Sequence, residues 1–558
     1  PGRRVMNVPR QLLDALVTHD EAQDEERYLA GNMWEEGGGD ADCGRIGGDP
    51  SPSFNTDREL TAACMVGLMA DSPPALVPVY PYGAPGAPVS LAAGHITIAG
   101  QTREGEVELR LSPDLGVIWR SKPFERLALK PAELQLSTRT GGTVNLHGVC
   151  DRTGTNGSGG RLETVNLGAA DAAMENVLVH WFNAPLVRPL EDIYDDSDHR
   201  VHLGRLVATF SGWTITMDRR PDYDEVWKSA LNMGSLVMTH TMQIRREDGA
   251  APFTATEVEP VIDALQFGLS FAVGRWAAPA LLVGFDHKGH RVWEQWAARH
   301  CTPGDPGPLR WWTEMLTGDL IELLERLVQR FSDPDERFSL RFLMASAVHS
   351  AAGGFVEQRI MTAFAAIEHL MWKRLVTVGG MSKTKYKAKD FPASEKLTLV
   401  LNEAKIRNDI DAGALPSLYR EMQKQEEESN RTWPFIACRI RNMIVHPTDY
   451  EERLYRSGDG VVLETWLLVH HYLLLLTLHH IGYKGSYQRQ LPPGGWAGDV
   501  EPVPWTSPES NETRDGTVNP PDRAFRAGRS YPDPAGPSRR RSGQFRRPVY
   551  PGPELGFT

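Results

Sequence analysis

The residues best suited to chemistry lie close together in residues 439–447, whose sequence is R-I-R-N-M-I-V-H-P. The imidazole of His446 can accept or donate a proton near neutral pH. The guanidinium groups of Arg439 and Arg441 stay charged and can bind a phosphate, and the Asn442 amide can hold a phosphate or orient the histidine. Together these side chains are suited to proton transfer at a phosphate group.

A helix must position these residues. Thr432 is a favourable N-cap residue, and Pro434 is tolerated in the first turn of a helix. Pro447 disfavours helical geometry at the residue before it, which is His446. The sequence therefore predicts a helix over residues 432–445 with His446 at its C-terminal end.

The predicted helix has a polar face. Arg439, Asn442 and His446 recur at positions i, i+3 and i+7, so they share one side of the helix. Burying polar side chains within a helical bundle costs free energy unless they are hydrogen-bonded, paired with an opposite charge or exposed in a functional site. Arg441 lies about 140° around the helix from His446, so one straight helix cannot direct both side chains at the same phosphate. Either two copies of the chain or a distorted helix end is needed to join them.

Other familiar motifs are incomplete. The glycine-rich residues 154–160 lack the lysine of a phosphate-binding loop and predict a hairpin turn instead. Ser270 lies in a helical stretch without the nucleophile-elbow pattern, which favours a packing role. The acidic residues 191–198 lack the glycine and the final glutamate of a calcium loop. No cofactor or metal site is predicted, since the spacing of the histidines on the last helix favours a polar interface: His470, His471, His479 and His480.

Composition and charge limit the classes of function. The 558 residues carry 60 Lys and Arg against 72 Asp and Glu, a net charge of −12, which argues against a large nonspecific nucleic-acid surface. Five cysteines without a C-x-x-C pair favour a reducing compartment. The apolar residues 461–483 contain one glutamate and four histidines and predict a buried or interfacial helix. We expect no signal peptide, no membrane partner and a soluble, cytoplasmic protein.

The first half of the chain alternates apolar and polar residues with a period of two, which is typical of strands. Turn residues separate the first eight segments, so the pattern predicts a sandwich or barrel. Thr254 and Glu257 form a capping box that begins a helix ending near Phe271, and two more strands follow. The predicted strands are residues 95–100, 106–111, 116–119, 134–140, 143–149, 177–182, 205–217, 235–243, 280–285 and 291–296.

After residue 308 the apolar period becomes 3.6, which predicts a bundle of helices. Residues 320–331 and 356–375 each carry one continuous apolar stripe. Further helices are predicted over residues 335–350, 394–403, 415–428, 432–445 and 462–481.

These patterns divide the chain into four segments and give the fold class α+β. Residues 1–75 form a partly disordered leader, residues 76–308 a β-rich N-terminal sandwich or barrel-like domain, and residues 309–490 an all-α helical bundle. Residues 491–558 contain thirteen prolines and nine glycines, which predicts a disordered tail rich in arginine.

The helical half resembles HEPN domains, the helical bundles of many prokaryotic toxins and defence ribonucleases. The R-N-x3-H-P sequence of residues 441–447 is similar to their Arg-x4–6-His motif. Residues 355–370 resemble the glutamate-bearing helix that precedes the motif, and residues 473–485 resemble the closing helix. The first half, with the sequence H-W-F-N at residues 180–183, resembles the N-terminal domain of ApeA-type anti-phage proteins.

The resemblance implies a metal-independent endoribonuclease in anti-phage defence by abortive infection. Arg441 and His446 would then be catalytic, with Asn442 as the polar residue that follows the arginine. Such proteins act as dimers in which two motif helices form one cleft, so a homodimer or higher homo-oligomer through the helical domain is expected. The implied substrate is cellular or phage RNA, with tRNA as one candidate, and a phage-derived activator would bind the N-terminal domain.

A basic run between residues 371 and 390 also indicates RNA contact, in which Arg439 would take part. Tyr386 within the run is available to stack on a base. A solvated loop explains the run equally well. The lysines expected to bind RNA are Lys383, Lys385, Lys387 and Lys389.

Two alternatives stay open. Arg441 could pair with an acid such as Glu368 while His446 caps the helix, which is a structural role. The helical domain could also be a noncatalytic dimerisation or RNA-binding module, with ligand recognition left to the β-rich domain.

Overall fold

The computed structural model describes twelve segments of the chain: residues 72–125, 131–138, 142–188, 191–195, 200–247, 249, 251–304, 309–352, 354–408, 410–446, 460–491 and 499–506. The leader up to residue 71 and the tail after residue 506 lie outside the described residues, so the expectations for them stay predictions.

Six antiparallel strands close into a barrel, in the order β1-β2-β3-β6-β5-β4. Alternate side chains point inward along each strand and fill the barrel, as Ile96, Val107 and Trp119 show by their complete burial. The barrel predicted from the period of two is confirmed for this part of the chain. The strands are β1 (Val89–Ile98), β2 (Gln101–Arg110), β3 (Gly116–Ser121), β4 (Pro131–Thr138), β5 (Thr143–Gly154) and β6 (Gly157–Leu162).

The glycine-rich residues 154–160 form the turn and second strand of the β5–β6 hairpin, as predicted. A Cβ atom on Gly160 would lie 1.7 Å from the carbonyl oxygen of Val149. Glycine is therefore needed for the two strands to approach this closely, which accounts for the motif without a phosphate.

An eight-stranded antiparallel sheet follows, in the order β7-β14-β13-β8-β12-β11-β10-β9. The prediction of one strand over residues 205–217 is wrong, because Ser211 and Gly212 have φ angles of 53° and 77° and reverse the chain. The strands are β7 (Val165–Gly168), β8 (Asn176–Phe182), β9 (Glu191–Asp195), β10 (Arg200–Phe210), β11 (Trp213–Arg219), β12 (Met238–Arg246), β13 (Ala278–Phe285) and β14 (Arg291–Trp296).

Both faces of this sheet are covered. In β13, Leu281 and Val283 pack into the core of the barrel, whereas Leu282 packs into the core shared with the helices. All three side chains are buried, which explains why the strand is apolar throughout and does not alternate.

Two helices accompany the sheet, α1 (Tyr223–Met233) and α2 (Ala255–Val273). The start of α2 confirms the predicted cap, since the Thr254 backbone N–H donates to the Glu257 carboxylate at 2.9 Å. Ser270 is fully buried and its hydroxyl accepts a hydrogen bond from the Ala277 backbone at 3.1 Å. Its packing role is thereby confirmed.

The helical half packs onto α2, so one continuous core runs from the sheet into the bundle. The predicted helices are confirmed, except that the one expected over residues 415–428 already ends at Gln423. The helices are α3 (Thr317–Phe331), α4 (Pro334–Ala352), α5 (Val356–Trp372), α6 (Lys383–Tyr386), α7 (Ala393–Glu403), α8 (Pro416–Gln423), α9 (Trp433–Val445) and α10 (Val461–Ile481), with a π-helical turn, Lys373–Val378, after α5.

Helix α10 is long and apolar enough to cross a membrane, and 78% of its most apolar window is buried inside the protein. It is the one helix of this kind in the described residues, and its burial is that of a core helix of a soluble protein, as predicted. Burial lowers the pKa of His470 to about 3 and that of His471 to about 4, so both rings are neutral within the core.

The predicted start of the disordered tail, residue 491, lies too early in the chain. Strand β16 (Val500–Pro502) pairs with β15 (Ser486–Gln488), and Val503 is fully buried in the main core. The Trp505 indole N–H donates to the Tyr483 carbonyl at 2.6 Å. Counting Pro and Gly over the whole tail concealed this short apolar segment, which belongs to the folded part of the chain.

Candidate active site at the end of helix α9

Helix α9 forms as the sequence predicts. The Thr432 hydroxyl accepts a hydrogen bond from the Phe435 backbone N–H at 3.3 Å, and Trp433 and Pro434 follow it in the first turn. His446 has left the helical conformation, with φ −124° and ψ 68°, and occupies the C-cap position. The predicted placement of His446 at a helix end is confirmed.

The buried side of α9 fixes its orientation. Ile436, Ala437 and Ile440 are fully buried against neighbouring helices. Asn442 and His446 are exposed on the opposite side. Because the apolar side is locked in the core, the polar side has one fixed direction toward solvent.

Arg441 is held at the edge of this exposed side. One of its terminal nitrogens donates to the Glu368 carboxylate on α5 at 2.6 Å, and the other donates to the Asn442 side-chain oxygen at 3.0 Å. The guanidinium also lies 5.9 Å from the centre of the Phe364 ring. The Arg441–Glu368 pair that the sequence left as an alternative therefore exists.

The pair leaves part of Arg441 available. Its side chain is 24% exposed and that of Glu368 is 43% exposed, so solvent reaches both groups. The Nε atoms of Arg441 and Arg439 are buried and have no hydrogen-bond partner among the described residues. A buried donor without a partner costs free energy, so these two Nε atoms are unsatisfied within the described residues, and only the 24% exposed part of the Arg441 side chain is open to a bound anion.

His446 stands apart from this pair. Its backbone N–H donates to the Asn442 carbonyl at 2.8 Å, which ends the helix. Its ring is exposed and has no hydrogen-bond or ionic partner within the part of the chain that the structure describes. Among the described residues, the Arg441 side chain thus contacts Asn442 and Glu368, whereas the His446 ring contacts none of the three.

Cys438 lies on the same helix but is a poor candidate nucleophile. It is buried, and burial raises the pKa of its thiol to about 12, with a smaller opposing effect of Arg441. A thiol that stays protonated at neutral pH packs as a small apolar side chain.

The basic run between residues 371 and 390, called the lysine run below, is partly engaged in ion pairs within the protein. Lys373 pairs with Glu336 at 2.9 Å and Arg374 pairs with Glu403, so neither is free for a ligand. The other lysines are exposed, and no carboxylate among the described residues pairs with them: Lys383, Lys385, Lys387 and Lys389.

Tyr386 is less available than predicted. The Lys396 ammonium lies 4.6 Å from the centre of its ring, and Trp372 packs edge-on at 5.1 Å. Burial, and to a lesser extent the nearby Glu368 carboxylate, raise the pKa of the phenol. These contacts leave less of the ring exposed for a base, and stacking of Tyr386 on RNA stays a prediction. The effect of Glu368 on its pKa places the basic run near Arg441.

Sequence reasoning missed a polar cluster around Glu336. The Glu336 carboxylate lies 3.3 Å from the His480 imidazole, 2.9 Å from Lys373 and 3.3 Å from Arg330. These groups come from four helical segments, so no local sequence pattern predicts the cluster. Among the described residues, no three His, Cys, Asp or Glu side chains come together in a way that could hold a metal ion.

The Glu336 cluster makes stability depend on pH. Contact with His480, followed by Lys373, lowers the pKa of Glu336 from 4.5 to about 2. A lowered folded-state pKa stabilises the protein above about pH 4.5, and this contribution is lost as the pH falls toward 2. We expect Glu336→Gln to lower the melting temperature at pH 7 and to reduce the loss of stability on acidification. Thermal denaturation of both proteins between pH 7 and pH 3 checks this, and parallel pH curves would contradict it.

Comparisons with known proteins cover most of the chain. Residues 169–306 match the family described as YopA central domain, and residues 340–501 match the family described as YopA C-terminal domain. The curated protein "SPbeta prophage-derived uncharacterized protein YopA" of Bacillus subtilis (strain 168) is 27% identical over 442 residues, which is 75% of this chain and 95% of that protein. The chain resembles YopA over three quarters of its length. No solved structure matches it.

The match to the YopA C-terminal domain contains the whole candidate site. Glu368, Arg441 and His446 fall within residues 340–501, and so does the lysine run. The match to the YopA central domain covers the eight-stranded sheet from β8 onward, whereas the barrel lies outside both matched regions. The site is thus part of the region shared with YopA.

Proposed function

We propose that this protein is an endoribonuclease in anti-phage defence, whose helical half acts as a HEPN nuclease on cellular or phage RNA. One observation carries the proposal. At the same helix end, Arg441 is fixed by Glu368 and Asn442, while the His446 ring is exposed and unpartnered among the described residues. A fixed cation and a free imidazole are the two groups that cleavage of RNA by its own 2′-hydroxyl requires.

The chemistry follows from the two side chains. The neutral His446 imidazole takes the proton of the ribose 2′-hydroxyl, whose oxygen then forms a bond to the adjacent phosphorus. The bond from phosphorus to the 5′-oxygen breaks, and that oxygen receives a proton. Arg441 balances the extra negative charge on the phosphate oxygens during the transfer. The products are a 2′,3′-cyclic phosphate and a 5′-hydroxyl.

A single copy of the chain supplies only part of this site. Arg441 and His446 lie on different sides of α9 and no contact joins their side chains in the described residues. Two α9 helices that face each other across a two-fold axis would bring His446 of each copy toward Arg441 of the other. The second imidazole would supply the proton for the leaving oxygen.

We therefore expect a homodimer or higher homo-oligomer through the helical half. Val445, which is 39% exposed next to His446, offers apolar surface for the contact. Val445→Asp should shift the protein toward monomer in light scattering at micromolar concentration, whereas Val77→Asp, at a 79% exposed site before the barrel, should not. A wild type that is strictly monomeric with and without RNA would contradict the shared site.

The exposed lysines should contribute to RNA affinity through phosphate contacts. Replacing Lys383, Lys385, Lys387 and Lys389 together with Gln should weaken RNA binding and flatten its dependence on salt, because fewer counterions are released. Fluorescence anisotropy at several salt concentrations measures the slope, with Lys288→Gln on the β13–β14 turn as the matched exposed control. An unchanged slope would mean that the run is only a solvated segment.

The β-rich half would bind the activating signal, such as a phage-derived molecule, in a soluble cytoplasmic protein. The burial of α10 supports the soluble form. The prophage origin of the Bacillus subtilis relative supports a role in conflict between phage and host.

The direct test is a nuclease assay. Purified protein should cut tRNA or a labelled unstructured RNA in the presence of EDTA and leave 2′,3′-cyclic phosphate ends, which are identified by mass spectrometry. Loss of cleavage with EDTA would contradict the metal-independent mechanism.

A second candidate is a noncatalytic dimerisation or RNA-binding module, with ligand recognition in the β-rich half. The Arg441–Glu368 ion pair favours it, because the pair gives Arg441 a structural role without any substrate. Under this candidate the protein binds RNA and leaves it intact.

A further inference from the structure

A cavity of about 380 Å³ lies where the sheet half meets the helical half. One wall is aromatic. Tyr223 and Trp227 of α1 stack with their ring centres 6.0 Å apart and their planes within 15° of parallel, and Trp312, from the segment that leads into α3, also lines the cavity. Leu231 and Val273 add apolar surface. This volume is near the lower end of the range for small-molecule sites, so it suits a ligand much smaller than a nucleic acid.

Four charged side chains line the cavity, and their charges cancel: Asp224, Arg275, Arg310 and Glu314. Two of them are already engaged. Arg275 donates to the Asn183 carbonyl at 2.5 Å and lies 4.8 Å from the centre of the Trp227 ring, while Asp224 lies 3.6 Å from Arg219.

The other two charged groups have no side-chain partner among the described residues. Arg310 is exposed and Glu314 is half-buried, and they stand on either side of Trp312 in the segment that leads into α3. Arg310 and Glu314 thus place one positive and one negative group, each without a side-chain partner in the described part of the chain, beside the aromatic and apolar wall.

We propose that this cavity binds a small zwitterion with an aromatic body, of the class of the free aromatic amino acids. The carboxylate of such a ligand would pair with Arg310, its ammonium group with Glu314, and its ring would pack on the aromatic wall. A multiply charged anion such as a nucleotide fits less well, since two carboxylates line the same space and the net charge of the lining is zero.

The residues that line the cavity come from both halves of the protein, so a bound ligand would contact both. Tyr223 and Trp227 belong to the region matched by the YopA central domain, whereas Arg310 and Glu314 lie between the two matched regions. A bound ligand would hold α1 against the segment that begins the helical half. This inference does not rest on the proposed ribonuclease activity.

Isothermal titration calorimetry on the full chain tests the proposal. The probes are L-tryptophan, L-tyrosine and L-phenylalanine, with tryptamine and indole-3-propionate as analogues that lack one charged group each, and AMP as the anionic comparison. We expect at least one amino acid to bind, and we expect the two tryptophan analogues to bind about tenfold or more weaker than L-tryptophan. Arg310→Gln and Glu314→Gln should each cause a similar loss, and Arg188→Gln, at an exposed arginine outside the lining, should cause none.

Three results would overturn the proposal. They are the absence of binding by all three amino acids at millimolar concentration, equal binding by L-tryptophan and its two analogues, and tighter binding of AMP than of any amino acid. The analogue series uses the wild-type protein, so the test holds even if a variant misfolds.

Discussion

We expect Arg441→Ala and His446→Ala each to abolish RNA cleavage while the protein stays folded. Loss of a general base or of a charge-stabilising donor lowers the rate by about a hundredfold or more. Both side chains are partly or fully exposed, and an exposed ion pair such as Arg441–Glu368 contributes only about 0–1 kcal/mol to the free energy of unfolding. Circular dichroism and melting temperature should therefore stay close to wild type while the cleavage rate collapses.

Matched variants sharpen this experiment. Arg420→Ala removes an exposed arginine of α8, and His287→Ala removes an exposed histidine of the β13–β14 turn, so both should cut RNA at the wild-type rate. Arg441→Lys keeps the charge but loses the fork that reaches Glu368 and Asn442 together, so it should recover little activity.

The pH dependence of cleavage is a further measurement on the same proteins. A histidine that acts as a base must be neutral, so the rate should fall as the pH is lowered. If His446→Ala retains full activity in a preparation free of contaminating nuclease, the catalytic assignment is wrong and the noncatalytic module takes its place.

The second large effect concerns the end of the folded chain. A protein that stops at residue 498 should be less stable than one that stops at residue 506 by about 3 kcal/mol or more, because it loses the burial of Val503 and the β16 pairing. The Trp505 contact with Tyr483 is lost as well. Denaturant unfolding of the two truncated proteins measures the difference.

The control for this prediction is the full-length chain. Residues 507–558 carry few large apolar groups, so removing them alone should leave the melting temperature nearly unchanged. Val503→Asp in the full-length protein should reproduce the loss of stability. Equal stability of the proteins ending at 498 and 506 would show that the observed packing of Val503 contributes nothing.

The sequence predicted the elements better than their arrangement. The cap at Thr432 and the proline after His446 are local signals, so the limits of α9 could be read within two residues at either end. The apolar period likewise gave the helices and the barrel strands. The division into a barrel and a separate sheet depends on which strands pair, and strand pairing is set by contacts far apart in sequence.

For the candidate site, too, local sequence patterns predicted some residues, whereas contacts made only by tertiary packing could not be predicted. Arg441, Asn442 and His446 could be selected from type and spacing, and Glu368 could be named as a potential partner of Arg441. The Glu336 cluster could not be found, because its members lie on four different helical segments that only the tertiary packing brings together. The burial of Tyr386 depends on Trp372 and Lys396, which only the packing of α6 brings together.

Strand β13 contributes alternate residues to two different cores, and this limits how the protein can be divided or can unfold. A fragment that begins at residue 309 would leave the side of α3 and α4 that faces α2 in water, and a fragment without the barrel would do the same to Leu281 and Val283. The core of the barrel and the core of the helical bundle are each completed by side chains of the sheet. The barrel, the sheet and the bundle should therefore melt in a single cooperative transition, so a change in the barrel that strains β13 would be felt in the helices that carry the candidate site.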